Sequence, residues 1–101
     1  MPYLLKKDKR ILSDIEKALS YYDAISLDLG ERFESELIDA LTKIEIHPQH
    51  YFNLNEKFRR ISLQNFPYKL IYKIDESAME IIVIGLFHHN KNPKEIRQRS
   101  K

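Results

Sequence analysis

The spacing of apolar residues changes once along the chain, and this change restricts the fold more than any other feature. Up to Ile44, apolar side chains recur every three or four residues, as on one face of a helix. From Phe58 onward they alternate with polar side chains, as along a half-buried strand. Helices in one block and strands in another predict an α+β domain, in which the helices cover one face of an antiparallel sheet.

Two amphipathic helices are predicted in the first block. The predicted core face of the first helix comprises Ile11, Ile15, Ala18, Leu19, Tyr22 and Ile25, and that of the second comprises Phe33, Leu37, Ala40, Leu41 and Ile44. Asp28 is predicted to cap the second helix, with Glu31 as its capping-box partner. Pro48 ends that helix. The short connection between the helices predicts an antiparallel hairpin.

Three strands are predicted in the second block, separated by turns at residues 65–67 and 75–78. They form an antiparallel meander, and the third strand, Glu80 to His88, is expected to be the central and most buried one because both of its faces are apolar. Residues 3–7 can form a short first strand. Residues 49–57 are predicted to be a loop that Tyr51 and Phe52 anchor to the core. Residues 90–101 are a basic tail, either a short helix or a flexible arm.

Length and composition exclude several classes of protein. The 101 residues, 43% of them hydrophobic, predict a single domain covering residues 1–101. The chain has no cysteine and therefore no disulfide, thiolate nucleophile or thiolate metal site. It also lacks a glycine-rich phosphate loop, a serine elbow and a zinc motif, so we expect no cofactor, no metal and no small-molecule substrate.

No membrane association is expected from the sequence. The longest apolar run, Ile81 to Leu86, is far shorter than the ~20 residues that a membrane helix needs. The basic N-terminal segment, which contains Lys6, Lys7 and Lys9, is not followed by a signal-peptide core. We therefore expect a cytoplasmic protein.

The net charge of +2 conceals a strong asymmetry. Residues 11–56 contain ten acidic and three basic side chains, whereas the rest of the chain contains five acidic and fourteen basic ones. Residues 57–73 contain five cations and no acid. This distribution predicts surfaces of opposite sign that serve association. The alternative is accidental clustering on a solvated surface.

A set of short motifs in a fixed order resembles the RelE/ParE toxin superfamily, and its ParE-like branch most closely. The motifs are Tyr21-Tyr22, Leu29-Gly30 with Phe33, Arg59-Arg60, Phe66-Pro67-Tyr68, and Phe87-His88 followed by Pro93. The resemblance implies a RelE/ParE-like fold with a short N-terminal strand, a two-helix hairpin and a three-stranded antiparallel meander in one sheet. It also implies the toxin of a type II toxin–antitoxin (plasmid stabilisation, or addiction) module, neutralised by a cognate antitoxin.

The resemblance leaves three functions open. ParE-type toxins inhibit DNA gyrase and are not enzymes, whereas RelE-type toxins cut messenger RNA on the ribosome without metal or cofactor. A third possibility is a non-toxic module that only binds an antitoxin. Some RelE-like nucleases have a His-Tyr pair near His88, and here His89 stands in place of that tyrosine, which weakens the expectation of ribonuclease activity.

Basic residues near the sheet are the candidate site. Alternation along a strand places Arg59 and Arg60 on opposite faces, with Arg60 on the open face, where its guanidinium can bind phosphate or an acidic partner. Arg59 is more simply a solvated or ion-paired side chain. The residues expected to bind the target or the antitoxin are Arg59, Arg60, Lys69, Lys73, Lys91, Lys94 and Arg97.

Histidines and tyrosines supply further candidates with simpler alternatives. If the chain is a nuclease, the resemblance and proton-transfer chemistry point to Arg60, His88, His89 and Lys91. His88 is otherwise a structural residue bonded to backbone at a strand end. His47 and His50 lack the converging donors that a metal site needs. Tyr68 and Tyr72 can stack on bases but share the strand face of core residues.

Overall fold

Seven elements, in the order strand, two helices and four strands, make up the fold. The computed structural model describes residues 3–90 together with Lys94, Ile96 and Gln98, the last three of which are helical. The elements are β1 (Leu4–Lys7), α1 (Arg10–Ile25), α2 (Leu27–Ile46), β2 (Phe52–Asn53), β3 (Phe58–Ser62), β4 (Tyr68–Asp75) and β5 (Glu80–His88). The α+β architecture, the first strand, the helical hairpin and the three-stranded meander are confirmed.

One residue, Ser26, both ends α1 and begins α2. Its backbone N–H donates to the Tyr22 carbonyl at 3.0 Å, and its hydroxyl accepts from the Leu29 N–H at 3.0 Å. The prediction that Asp28 caps α2 is therefore wrong. Ser26 has the extended backbone (φ −165°) that an N-cap requires, whereas Asp28 lies within the first turn and pairs with Arg32 at 3.1 Å.

The two helices approach closely beside this connection. Gly30 is buried in the first turns of α2, and a Cβ at this position would collide with the carboxylate of Asp23 on α1. The colliding atoms are at the end of an exposed side chain that can turn aside, so the close approach of the helices favours glycine here without requiring it, and glycine has a low helix propensity.

The sheet has five strands in the order β1-β5-β4-β3-β2. β1 pairs with β5 in parallel, with Leu4 opposite Glu80, and all other pairs are antiparallel. The prediction that the third strand of the meander, β5, is the most buried one is confirmed, but the prediction that it is central is wrong, because β1 adds only one strand beyond it and β4 is the middle strand of the five. The two-residue strand β2 lies in the segment that the sequence predicted to be a loop, and a strand of this length has no periodicity to detect.

The main core lies between the hairpin and the sheet. Its largest fully buried side chains are Tyr72, Phe33, Ile11, Ile44, Leu70, Ile81 and Val83. The predicted helix faces are confirmed except at Ile25, the last residue of α1, which is 60% exposed. The core assignment of Tyr68 and Tyr72 is also confirmed.

The second face of the sheet carries a smaller apolar cluster of Ile71, Ile84 and Phe87. Ile96, from the C-terminal segment, packs against this cluster. The face predicted to be open is therefore partly covered, because its strands carry apolar as well as basic side chains.

Neither helix within the described residues is long and apolar enough to span a bilayer.

Candidate functional site: a basic sheet face

Three cations project from the second face of the sheet, and we call Arg60, Lys69 and Lys73 the basic face. Arg60 on β3 lies opposite Ile71 on β4, so Lys69 and Lys73, two residues to either side of Ile71, share its face. Strand alternation alone therefore assembles a surface in which cations surround an apolar centre.

Arg60 is held in place by an aromatic ring. Its guanidinium carbon lies 4.5 Å from the ring centre of Phe52, which is opposite it on β2. Among the described residues, its Nε is buried and has no hydrogen-bond partner. An unsatisfied buried donor of this kind costs ~1–3 kcal/mol. An oxyanion bound to this guanidinium would pair with its charge, although it does not reach the enclosed Nε.

Lys69 lies next to Arg60 in the same cationic surface. The pKa of the Lys69 ammonium is lowered, first because burial disfavours the charged form and second because Arg60 repels it. Ser62, opposite Lys69 and two residues after Arg60, adds a hydroxyl on the same face. This arrangement is suited to a carboxylate or a phosphate, which would relieve both effects.

Arg59 has a different environment on the helix-covered face. Its Nη1 donates to the carbonyls of Gln49 and Tyr51, at 3.0 and 2.9 Å. Arg59 thus fastens the loop that follows α2 and is not brought together with Arg60.

The histidines at the end of β5 are also separated from Arg60. The ring of His88 lies on the helix-covered side, 5.3 Å from the ring of Tyr68, and its Nδ1 accepts from the Asn90 N–H at 3.1 Å. His89 is exposed, and its backbone N–H donates to the Pro67 carbonyl at 2.8 Å. The hydrogen bond to backbone matches the structural alternative for His88.

The remaining predicted site residues are the basic residues after position 90. Lys91 and Arg97 lie outside the described residues, and Lys94 is exposed in the C-terminal helical segment. Within the part of the chain that the structure describes, no group of three or more histidine or acidic side chains is placed to hold a metal ion.

Phe52 is the functional residue that sequence reasoning placed wrongly. It was predicted to anchor its loop to the core, but it is 59% exposed and supports Arg60 instead. Tyr51, its neighbour, does pack on the core, as predicted. The pairing of β2 with β3 determines the position of Phe52, and no local pattern reports that pairing.

Comparison with known protein families gives a match over most of the chain. Residues 5–93 match the family described as ParE toxin of type II toxin–antitoxin system, parDE. Toxin ParE2 of Mycobacterium tuberculosis is 28% identical over 93 residues, which is 91% of this chain and 87% of that protein.

Solved structures show the same fold. A chain from the chromosomal ParDE system of P. aeruginosa superposes with a TM-score of 0.70 at 11% identity, over 85% of this chain and 95% of that one. A chain of the toxin–antitoxin complex RelBE2 from Mycobacterium tuberculosis has a TM-score of 0.60 at 15% identity, over 87% of this chain and 99% of that one. With its sequence match covering nearly the whole length and its fold shared with these structures, the chain belongs to the ParE toxin family of type II toxin–antitoxin systems.

Proposed function

We propose that this ParE-family toxin inhibits DNA gyrase without catalytic chemistry and is neutralised by a cognate antitoxin that contacts the basic face. The observation that carries the non-enzymatic part is the separation of Arg60 from His88. The two side chains lie on opposite faces of the sheet.

RNA cleavage through the ribose 2′-hydroxyl needs a base, an acid and a cation around a single phosphate, each within hydrogen-bond reach. Arg60 lies in register with Ile71 and Gly85. His89 is four residues beyond Gly85, roughly 13 Å along the strand direction at the rise of an extended chain. This arrangement supplies a cation but places no histidine beside it, which favours inhibition by binding.

A ribosome-dependent endoribonuclease is the second candidate. Its support is the guanidinium of Arg60 beside Lys69, which suits a phosphate as well as a carboxylate. In this case the general acid and base would come from the ribosome, because His88 lies on the other face of the sheet and His89 is displaced along the strand.

The test is to induce the toxin alone in bacteria and pulse-label DNA, RNA and protein synthesis. We expect DNA synthesis to fall first, and we expect the purified protein to inhibit supercoiling by gyrase. A first fall in protein synthesis, with intact supercoiling, would establish the ribonuclease and overturn the proposal.

Alanine variants separate the two mechanisms further. With a gyrase inhibitor, His89→Ala should retain toxicity at normal stability, and His88→Ala should retain it with a small loss of stability because His88 packs on Tyr68 and accepts from Asn90. A nuclease should lose toxicity in both variants. Arg32→Ala is the control for loss of a cation. Arg32 is exposed on α2, where it pairs with Asp28, and it does not belong to the basic face.

The proposed binding of the antitoxin to the basic face can be tested separately at Lys69. As the pH rises toward its lowered pKa, Lys69 loses its proton, so an acidic antitoxin segment bound there loses a partner and its affinity falls. Lys69→Arg keeps the charge and should flatten this alkaline decline in a titration of the purified pair. An unchanged decline in Lys69→Arg would show that the antitoxin binds elsewhere.

A further inference from the structure

A cleft of about 420 Å³ opens at the tip of the helical hairpin. It is bounded by the end of α1, the turn between β3 and β4, and the end of β5, and it is lined by Tyr21, Tyr22, Ile25, Pro67, Tyr68 and His88. Tyr68 and His88 lie on the helix-covered face, so this tip cleft is on the opposite side of the sheet from the basic face.

Three phenol rings give the tip cleft its chemistry. The ring of Tyr22 lies 5.1 Å from that of Tyr21 and 6.3 Å from that of Tyr68, edge to face in both cases. Aromatic faces attract cations, most strongly where water is excluded. Tyr21 is 63% exposed, so a ligand can reach its ring.

The tyrosine hydroxyls can also accept hydrogen bonds. Burial raises the pKa of Tyr22 and of Tyr68, and nearby tyrosines raise both further, so these phenols stay neutral at physiological pH. The structure records no hydrogen bond from the hydroxyls of Tyr21, Tyr22 or Tyr68 to any described residue. Tyr22 is buried against the rings of Phe33 and Phe66, so the acceptors that a ligand can reach are those of Tyr21 and Tyr68.

Acidic side chains flank the residues of the tip cleft in the sequence. Residues 18–31 contain Asp23, Asp28 and Glu31, of which Asp28 is paired with Arg32. The apolar side chains of Ile25 and Leu27 are 60% and 73% exposed at the same tip. A complementary ligand is thus a cation with apolar neighbours.

We propose that the tip cleft binds an arginine side chain of a partner protein, seated against the tyrosine rings, with the flanking apolar residues of that partner on Ile25 and Leu27. Arginine fits better than lysine because a planar guanidinium stacks on rings and donates to several acceptors at once. This site goes beyond the proposed function, since it adds a second docking surface that binds a cation, whereas the basic face binds anions.

The experiment uses the purified full chain and two amidated, acetylated pentapeptides. One has the sequence Ala-Leu-Arg-Leu-Ala, and the other replaces arginine by citrulline, which has the same shape and no charge. Tyrosine ring signals in NMR spectra report binding. We expect saturable shifts of the tip-cleft tyrosines with the arginine peptide at millimolar concentration and binding at least about fivefold weaker with the citrulline peptide.

Variants locate the binding within the cleft. Tyr21→Ala should weaken the arginine peptide about fivefold, whereas Tyr21→Phe, which keeps a ring, should retain most of the affinity. Leu12→Ala is the matched control, because Leu12 is on the same helix and is 64% exposed. Equal affinity for the two peptides, no saturable shift, or the same loss in Leu12→Ala as in Tyr21→Ala would each overturn the proposal.

Discussion

Arg59 and Arg60 are adjacent in the sequence but have opposite surroundings. Two loop carbonyls accept from Arg59 on the covered face, whereas Arg60 rests on an exposed ring with an unpartnered Nε. We expect Arg59→Ala to lower stability, because it frees the loop after α2. We expect Arg60→Ala to weaken association instead, because its guanidinium donates to no described residue through Nε.

Tyr72 links the middle strand to the end of α2, and its environment predicts a pH dependence. Its hydroxyl donates to the Pro48 carbonyl at 2.6 Å, and burial raises its pKa from 10.0 to about 12. Because the folded protein holds this proton more tightly than the unfolded chain does, the stabilisation is complete below pH 10 and is lost as the pH rises through 12.

Tyr72→Phe tests this dependence. At neutral pH the variant should lose about 1–2 kcal/mol of the free energy of unfolding, because the Pro48 carbonyl loses its partner. Urea titrations between pH 8 and 12 should show the wild type losing on the order of 2–3 kcal/mol relative to the variant. A constant difference between the two proteins across this range would contradict the prediction.

At the scale of elements, the boundary between the two helices depends on one hydroxyl. Ser26→Ala should lower the free energy of unfolding by about 1 kcal/mol, since the Leu29 N–H loses its acceptor. Asp28→Ala serves as the comparison, and it should cost less than about half as much, because the pair of Asp28 and Arg32 is exposed. A larger loss in Asp28→Ala, measured by chemical denaturation, would restore Asp28 as the cap.

Gly30 tests the close approach of the helices. Gly30→Ala alone should change the midpoint of thermal unfolding little, because displacing the exposed Asp23 carboxylate offsets part of the gain in helix propensity. In an Asp23→Ala background the collision disappears, and the same substitution should then stabilise by up to about 1 kcal/mol through helix propensity. A destabilisation of equal size in both backgrounds would mean that the substitution acts through a contact other than the one with Asp23.

Elements with a repeated pattern could be predicted from the sequence, and those defined by distant pairing could not. Sixteen residues of α1 and eight of β4 repeat their period often enough to be recognised. The two residues of β2 do not, and the parallel pairing of β1 with β5 joins opposite ends of the chain. The same contrast holds for the candidate site. Strand alternation predicts the sheet face on which Arg60 lies, whereas the contact of Arg60 with Phe52 depends on the pairing of β2.

At the scale of the whole molecule, charge of one sign lies on the helices and of the other on the sheet. The helices Arg10–Ile25 and Leu27–Ile46 carry a net charge of −5, from nine acids and four bases. An acidic surface on so small a protein repels nucleic acid and leaves the basic face as the region where a polyanion can approach. We therefore expect the acidic hairpin to limit non-specific binding of nucleic acid.

Removing acids from the hairpin tests this role. A variant with Glu16, Glu34 and Glu45 replaced by glutamine changes the formal net charge from +2 to +5. All three side chains are exposed, so the fold should be unaffected. We expect elution from a heparin column at higher salt than the wild type. Equal elution would mean that the basic face alone determines polyanion binding.

The parallel pairing of β1 with β5 also means that the sheet can be completed only late in the synthesis of the chain. Leu4 and its partner Glu80 are separated by 76 positions in the chain, so at about 5–20 residues per second the ribosome makes β5 roughly 4–15 s after β1. During this interval β1 has no partner strand, and the hairpin has no sheet to cover. The sheet of the nascent chain is therefore incomplete until β5 has been synthesised, so the folded basic face is among the last features of the molecule to form.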